Sequence, residues 1–99
     1  MRGLLLYYRS DKMLSGNQTM NIKSLSEMIN GDFGKVMKIR GKAGIHRYLL
    51  ELGIAVNRIV QVISVDFDSK YRPVTVRIGK YIHLLNHDIA SMIKVEIGN

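Results

Sequence analysis

Along residues 34–97 the hydrophobic positions fall into two periods, one near two residues and one near 3.6. Val74, Val76 and Ile78 alternate with Thr75 and Arg77, which predicts a strand with its valine side inward. Gly79-Lys80 has the length of a tight hairpin turn. Residues 81–85 then read as the second arm, with Ile82 and Leu84 inward and Tyr81, His83 and Leu85 on the other side. Residues 57–65 are apolar on both faces, Val60 and Val62 against Ile59, Ile63 and Val65, the pattern of a central strand covered on both sides. Asn57 suits a left-handed turn ahead of that strand. Residues 34–41 read as a strand with a glycine at each end. Its Val36 and Ile39 stand three apart, which calls for a bulge or a sharp bend. Ile93, Val95 and Ile97 alternate as a last strand.

The longer period marks a helix over residues 45–52. Ile45, Tyr48, Leu49 and Leu52 share a face at ~100° per residue. Gly53 stands where a left-handed residue ends a helix, and Arg47 and Glu51 are spaced to interact on the polar side. Leu50 does not fit the stripe: it lies roughly 140° around the axis from Ile45. It either fills a corner beneath a loop or belongs to an exposed apolar contact site. Ser24-Leu25-Ser26-Glu27 has the form of a capping box opening a short helical turn. Leu25, Met28 and Ile29 are its buried side, and Asn30-Gly31-Asp32 stops it. Asn86 is placed to cap a single turn over residues 87–90.

The elements sum to a mainly β fold of about five strands, with one short α-helix after the first and a helical turn before the last. Short strands around one small core favour a barrel, which also removes exposed sheet edges. Residues 1–19 read differently: a short apolar patch at 4–8 precedes a polar, linker-like stretch. They form an extension or linker ahead of a domain that starts at Met20, or else residues 4–8 are a strand that pairs with the barrel or with another copy in a homodimer. The first reading is preferred.

With 99 residues the chain has room for one domain and little for a deep catalytic cleft. It has no cysteine, which removes disulfides, zinc–thiolate sites, iron–sulfur clusters and thiol nucleophiles, and favours a reducing compartment. No apolar run reaches the ~20 residues of a membrane span, and residues 4–8 are too short for a signal-peptide core. These features point to a cytoplasmic protein. The formal charge of +7 admits nucleic acid, an anionic membrane or an acidic protein as partner, although the basic residues never form a block.

Motifs for chemistry are sparse. His83 and His87, with Asp88, are the weak candidates for a divalent metal such as Fe2+, but a further ligand is needed and no cysteine supplies it. Asp66 and Asp68 read as a solvated turn. No nucleophile elbow, phosphate loop or His-Glu-x-x-His is present, so catalysis is not expected and no cofactor is assigned. Phe67, Tyr71 and Arg72 cluster in one loop and are common anchor types at interfaces. Alternatively, the two aromatics fold over the barrel mouth.

The segments Leu25…Gly31…Gly34-x-Val36…Ile39…Gly41, Tyr48-Leu49-Leu50-Glu51-Leu52-Gly53-Ile54, Val60…Ile63, Pro73-Val74-x-Val76, Ile82-x-Leu84 and Ala90…Ile93-x-Val95 resemble the FeoA family of ferrous iron transport proteins over residues 20–99. The resemblance implies an SH3-like barrel without enzymatic activity. It also implies a cytoplasmic place at the inner face of the membrane beside FeoB, the ferrous iron transporter with a GTP-binding domain. Val56-Asn57 stand where the family usually has Pro-Gly, and the loop before Pro73 is charged and aromatic where members often carry a small, glycine-containing one. On this reading Tyr48, Leu50, Phe67, Tyr71 and Arg72 contact the transporter. The alternative is a small-barrel RNA-binding protein using Lys35, Lys38, Arg40 and Lys42.

Overall fold

The computed structural model describes residues 21–98. The two readings of residues 1–19, including a strand at 4–8, therefore concern residues outside that range. Six strands form one antiparallel sheet: β1 (Ile22–Ser24), β2 (Phe33–Ile39), β3 (Ile59–Val65), β4 (Val74–Ile78), β5 (Tyr81–Leu85) and β6 (Ile93–Ile97). A 3-10 turn (Leu25–Glu27) follows β1, α1 (Ala43–Glu51) joins β2 to β3, and α2 (His87–Ala90) joins β5 to β6. The sheet order is β1-β6-β2-β3-β4-β5, and it curls around one core in the manner of an SH3-like barrel. Relative to the sequence reading, one short strand, β1, is added. Among the described residues the expected removal of edges does not occur: β1 and β5 stand at the two ends of the sheet order.

Two bulges shape the curl. Pairing of β2 with β6 shifts register between Val36 and Lys38. The extra residue lets Val36, buried, and Ile39, packed against the core, both face inward although they are three apart. A second shift lies between Val62 and Ser64 in β3. It returns Val65 to the core side opposite Val74, so Val60, Val62 and Val65 share one face. β3 is therefore not covered on both sides, since Ile59 is exposed.

The second hairpin arm also differs from expectation. Ile78 pairs with Tyr81, and Arg77 with Ile82. Directly paired residues share a face, so inward Val74, Val76 and Ile78 draw Leu85, His83 and Tyr81 to their side. Leu85 is buried, while Ile82 and Leu84 are 56% and 64% exposed.

Local signals place the connections. Ser24 donates its backbone N–H to Glu27 Oε1 at 3.1 Å. That bond, first, and the Ser24 hydroxyl, Lys94 and Lys23 hold the Glu27 carboxyl below its usual pKa. Leu25 and Met28 are buried beneath this turn, but Ile29 is exposed because the chain has already left the 3-10 geometry at Met28. Gly53 ends α1 at φ 87 and Asn57 turns into β3 at φ 77, both in the left-handed region. Asn86 Oδ1 accepts the Ile89 N–H at 2.9 Å and so caps α2. At Gly34 a Cβ would collide with the backbone carbonyl of Glu96 and lie 2.7 Å from Val95 Cγ1. Close approach of β2 to β6 thus requires the glycine.

Candidate functional site

Leu50 projects from α1 away from the core, 65% exposed. Leu49 Cβ points inward, and one residue is a ~100° step on a helix, so Leu50 faces outward over β2. There it meets the bulged strand and the segment after the helix. Met37, Ile39, Ile54, Ala55 and Val56 complete a shallow, mainly apolar groove of about 340 Å³, with Lys38 and His46 at its rim. His46 Nε2 lies 3.1 Å from the Gly41 carbonyl oxygen, which ties the ring to the turn ahead of α1. Tyr48 is exposed on the same helix but does not line the groove. Sequence periodicity found Leu50 through its misfit. It did not find Met37 or Val56, because Met37 depends on the bulge and Val56 lies in an aperiodic connection.

The loop 66–72 is held by short-range bonds. Asp66 Oδ1 accepts the backbone N–H groups of Asp68 and Ser69 at 3.1 and 3.2 Å, and Ser69 Oγ accepts that of Tyr71 at 3.3 Å. Asp66 therefore works as a turn-former. Arg72, just before Pro73, adopts φ 41, a left-handed conformation that costs energy for a side chain of this size. The His87 N–H donates to the Tyr71 carbonyl at 3.2 Å and ties the loop to α2. Phe67 and Tyr71 are 63% and 67% exposed and do not fold over the core. Lys70 Nζ lies 5.8 Å from the Tyr71 ring centroid, within cation–π range.

The residues proposed as contacts therefore fall in two places. Leu50 lines the α1 groove, whereas Tyr71 and Arg72 line a separate depression with Lys70, Asn86, His87 and Asp88. The weak metal candidates are also divided. His87 and Asp88 lie in that second depression, and His83 lines a third, beside Glu51 and Arg58 at the end of α1. Among the described residues no group of three or more His, Cys, Asp and Glu side chains is arranged to hold a metal ion. No described helix is long and apolar enough to cross a membrane. Of the basic residues near β2, Lys35 is paired across the sheet with Glu96 and Lys38 with Lys94.

The order of these elements matches a known domain. A family model, the FeoA domain, matches residues 23–97.

The chain belongs to the FeoA family.

Solved structures share the fold. An iron uptake regulatory protein (FeoA) superposes with a TM-score of 0.71 at 23% identity, covering 79% of this chain and 100% of that one. The FeoA protein from Chlorobium tepidum gives 0.69 at 22% identity, covering 78% and 71%. A manganese-dependent transcriptional repressor gives 0.70 at 22% identity, covering 82% of this chain but 44% of the repressor. At such identities the likeness is one of fold. No curated protein sequence matches the chain.

At Val56-Asn57, where the sequence resemblance leads one to expect Pro-Gly, the structure shows how the fold accommodates these residues. Asn57 takes the left-handed conformation that a glycine adopts most readily. Val56 is half exposed and forms one wall of the groove beside Leu50. Val56 thus adds an apolar side chain to a depression that is already mainly apolar.

Proposed function

We propose that this FeoA-family protein is a non-catalytic cytoplasmic accessory of ferrous iron uptake, and that the α1 groove docks on the cytosolic part of a FeoB-type transporter. The observation that carries the reading is the pairing of exposed Leu50 with exposed Val56 in one apolar groove. Large apolar side chains gathered in a concave patch with a basic rim are typical of protein docking sites. Net charge of +7 favours an acidic partner surface and faster encounter with it. The 66–72 loop, preorganised by Asp66 and Ser69, is a second contact reached from another side of the domain. No resident cofactor is assigned, and iron enters as the transporter's cargo.

Titration of the full chain against the cytosolic part of the transporter tests this reading. Saturable binding that survives a rise in salt and is lost in Leu50→Asp, with the fold intact by circular dichroism, is the expected result. Binding unchanged in folded Leu50→Asp removes the groove from the interface. Single-stranded RNA serves as a parallel ligand: tight, steeply salt-dependent RNA binding without transporter binding replaces the reading with the nucleic-acid one.

A further inference from the structure

Among the described residues strand β5 is an edge of the sheet, and its sequence Tyr81-Ile82-His83-Leu84-Leu85 carries no lysine, carboxylate, proline or bulge. Those are the devices by which edge strands are normally kept from pairing. The opposite edge, β1, is three residues long and exposes Lys23, so it is blunted. Exposed edges that are regular and apolar act as templates for another strand.

The pairing pattern says which backbone groups of β5 have no strand partner among the described residues. A two-residue turn joins Ile78 to Tyr81, and such a turn closes on a hydrogen-bonded pair. Hydrogen-bonded and non-hydrogen-bonded pairs then alternate along the ladder. Tyr81, His83 and Leu85 therefore direct their N–H and C=O groups to β4. Ile82 and Leu84 direct theirs to the open side. Two copies of β5 set antiparallel about a two-fold axis through His83 place Ile82 opposite Leu84 of the other copy, twice. Every free N–H and C=O of both strands then finds a partner, and the exposed side chains of Ile82 and Leu84 pack in two like pairs on the outer face.

We propose that β5 is a self-association edge, pairing with β5 of a second copy of this chain about His83. A second copy is favoured over an arbitrary peptide because the strand is complementary to itself in this one register. The electrostatics agree. The chain as a whole is strongly basic, yet β5 contains no Lys, Arg, Asp or Glu, and the depression that His83 helps to line holds one base, Arg58, and one acid, Glu51. At each end Lys80 of one copy approaches the start of α2 in the other, where Asp88 lies. Contact area sets the strength. Five residues a side bury roughly half of the ~800 Å² per partner of a standard interface, so the dimer is weak and forms at micromolar or higher concentration. It carries two α1 grooves, one per copy.

The test uses the absence of cysteine in the full chain. Single His83→Cys places two thiols opposite one another at a non-hydrogen-bonded pair, where Cα atoms lie about 4.5 Å apart and a disulfide closes without distortion. Mild oxidation is expected to convert it to covalent dimer at least tenfold faster than Lys80→Cys, whose register partner is Asn86. Sedimentation equilibrium of the unmodified chain is expected to show a concentration-dependent dimer, lost in Leu84→Lys and in Ile82→Lys while circular dichroism is unchanged. A monomer throughout the accessible concentration range overturns the proposal. So does a dimer that survives both lysine variants, or equal cross-linking of the two cysteine variants.

Discussion

Leu49 is fully buried, whereas Leu50, the next residue on α1, is 65% exposed. The two have the same composition and helix propensity, and they differ only by one ~100° step around the axis. Leu49 packs into the core formed by β2, β3, β4 and β6, while Leu50 lines a groove that no described residue fills. Stability and recognition are thus assigned to neighbouring positions, and substitutions at the two should have opposite signatures.

The largest expected effect is at Leu49. Leu49→Ala should lower unfolding free energy by about 2–5 kcal/mol, read from denaturant midpoints at unchanged slope. A loss below the effect of Leu50→Ala would break the comparison. Gly34→Ala should follow at about 1–3 kcal/mol, because the added methyl meets Glu96 backbone and Val95 at the joint of β2 and β6. Asn86→Ala removes the cap of α2 and should cost about 1 kcal/mol. Leu50→Ala should change stability by less than about 0.5 kcal/mol while weakening transporter binding. Such a split between midpoint and affinity is the sharpest form of the contrast. The smallest effect is a pH dependence at Glu27. Its carboxyl is held below the ordinary value in the folded state, so its contribution is present above the unfolded carboxylate pKa and is lost as pH falls through the folded one. Glu27→Gln should flatten the acid limb of the stability curve in that window, with the small loss of stability present at neutral pH and the two proteins converging as pH falls through it.

Most of the strands and both helices are legible because local pattern and turn chemistry agree. Asn57, Gly53 and Asn86 do what their side chains suit them for. The bulge in β2 is legible too, since Val36 and Ile39 are spaced wrongly for a regular strand. The inverted face of β5 follows from residues that are themselves visible. If Gly79-Lys80 is a two-residue turn, Ile78 must oppose Tyr81, and pairing carries Leu85 inward with Val74. Reading each strand's alternation separately misses that coupling, because Ile82 and Leu84 look as apolar as any core pair. The second bulge, near Ile63, has no such signal: an all-apolar strand conceals a change of face. At the site, Leu50 is legible as a misfit, but its groove is not. Met37, Ile54 and Val56 meet it only once α1 has packed against the sheet. The loop residues Phe67, Tyr71 and Arg72 are legible as a cluster, and their separation from the groove is a property of the topology alone.

Strand β6 lies between β1 and β2 although it is the last of the described strands in sequence order. Its pairing with β2 joins residues about sixty positions apart, such as Val36 and Val95, a non-local closure of the kind that slows folding to milliseconds or longer. When the β2–β5 meander forms ahead of this closure, the β2 side of its sheet is left without β6. Until β6 arrives that side can recruit strands from other chains. Closure by β6 therefore sets how long the folding protein stays exposed to aggregation.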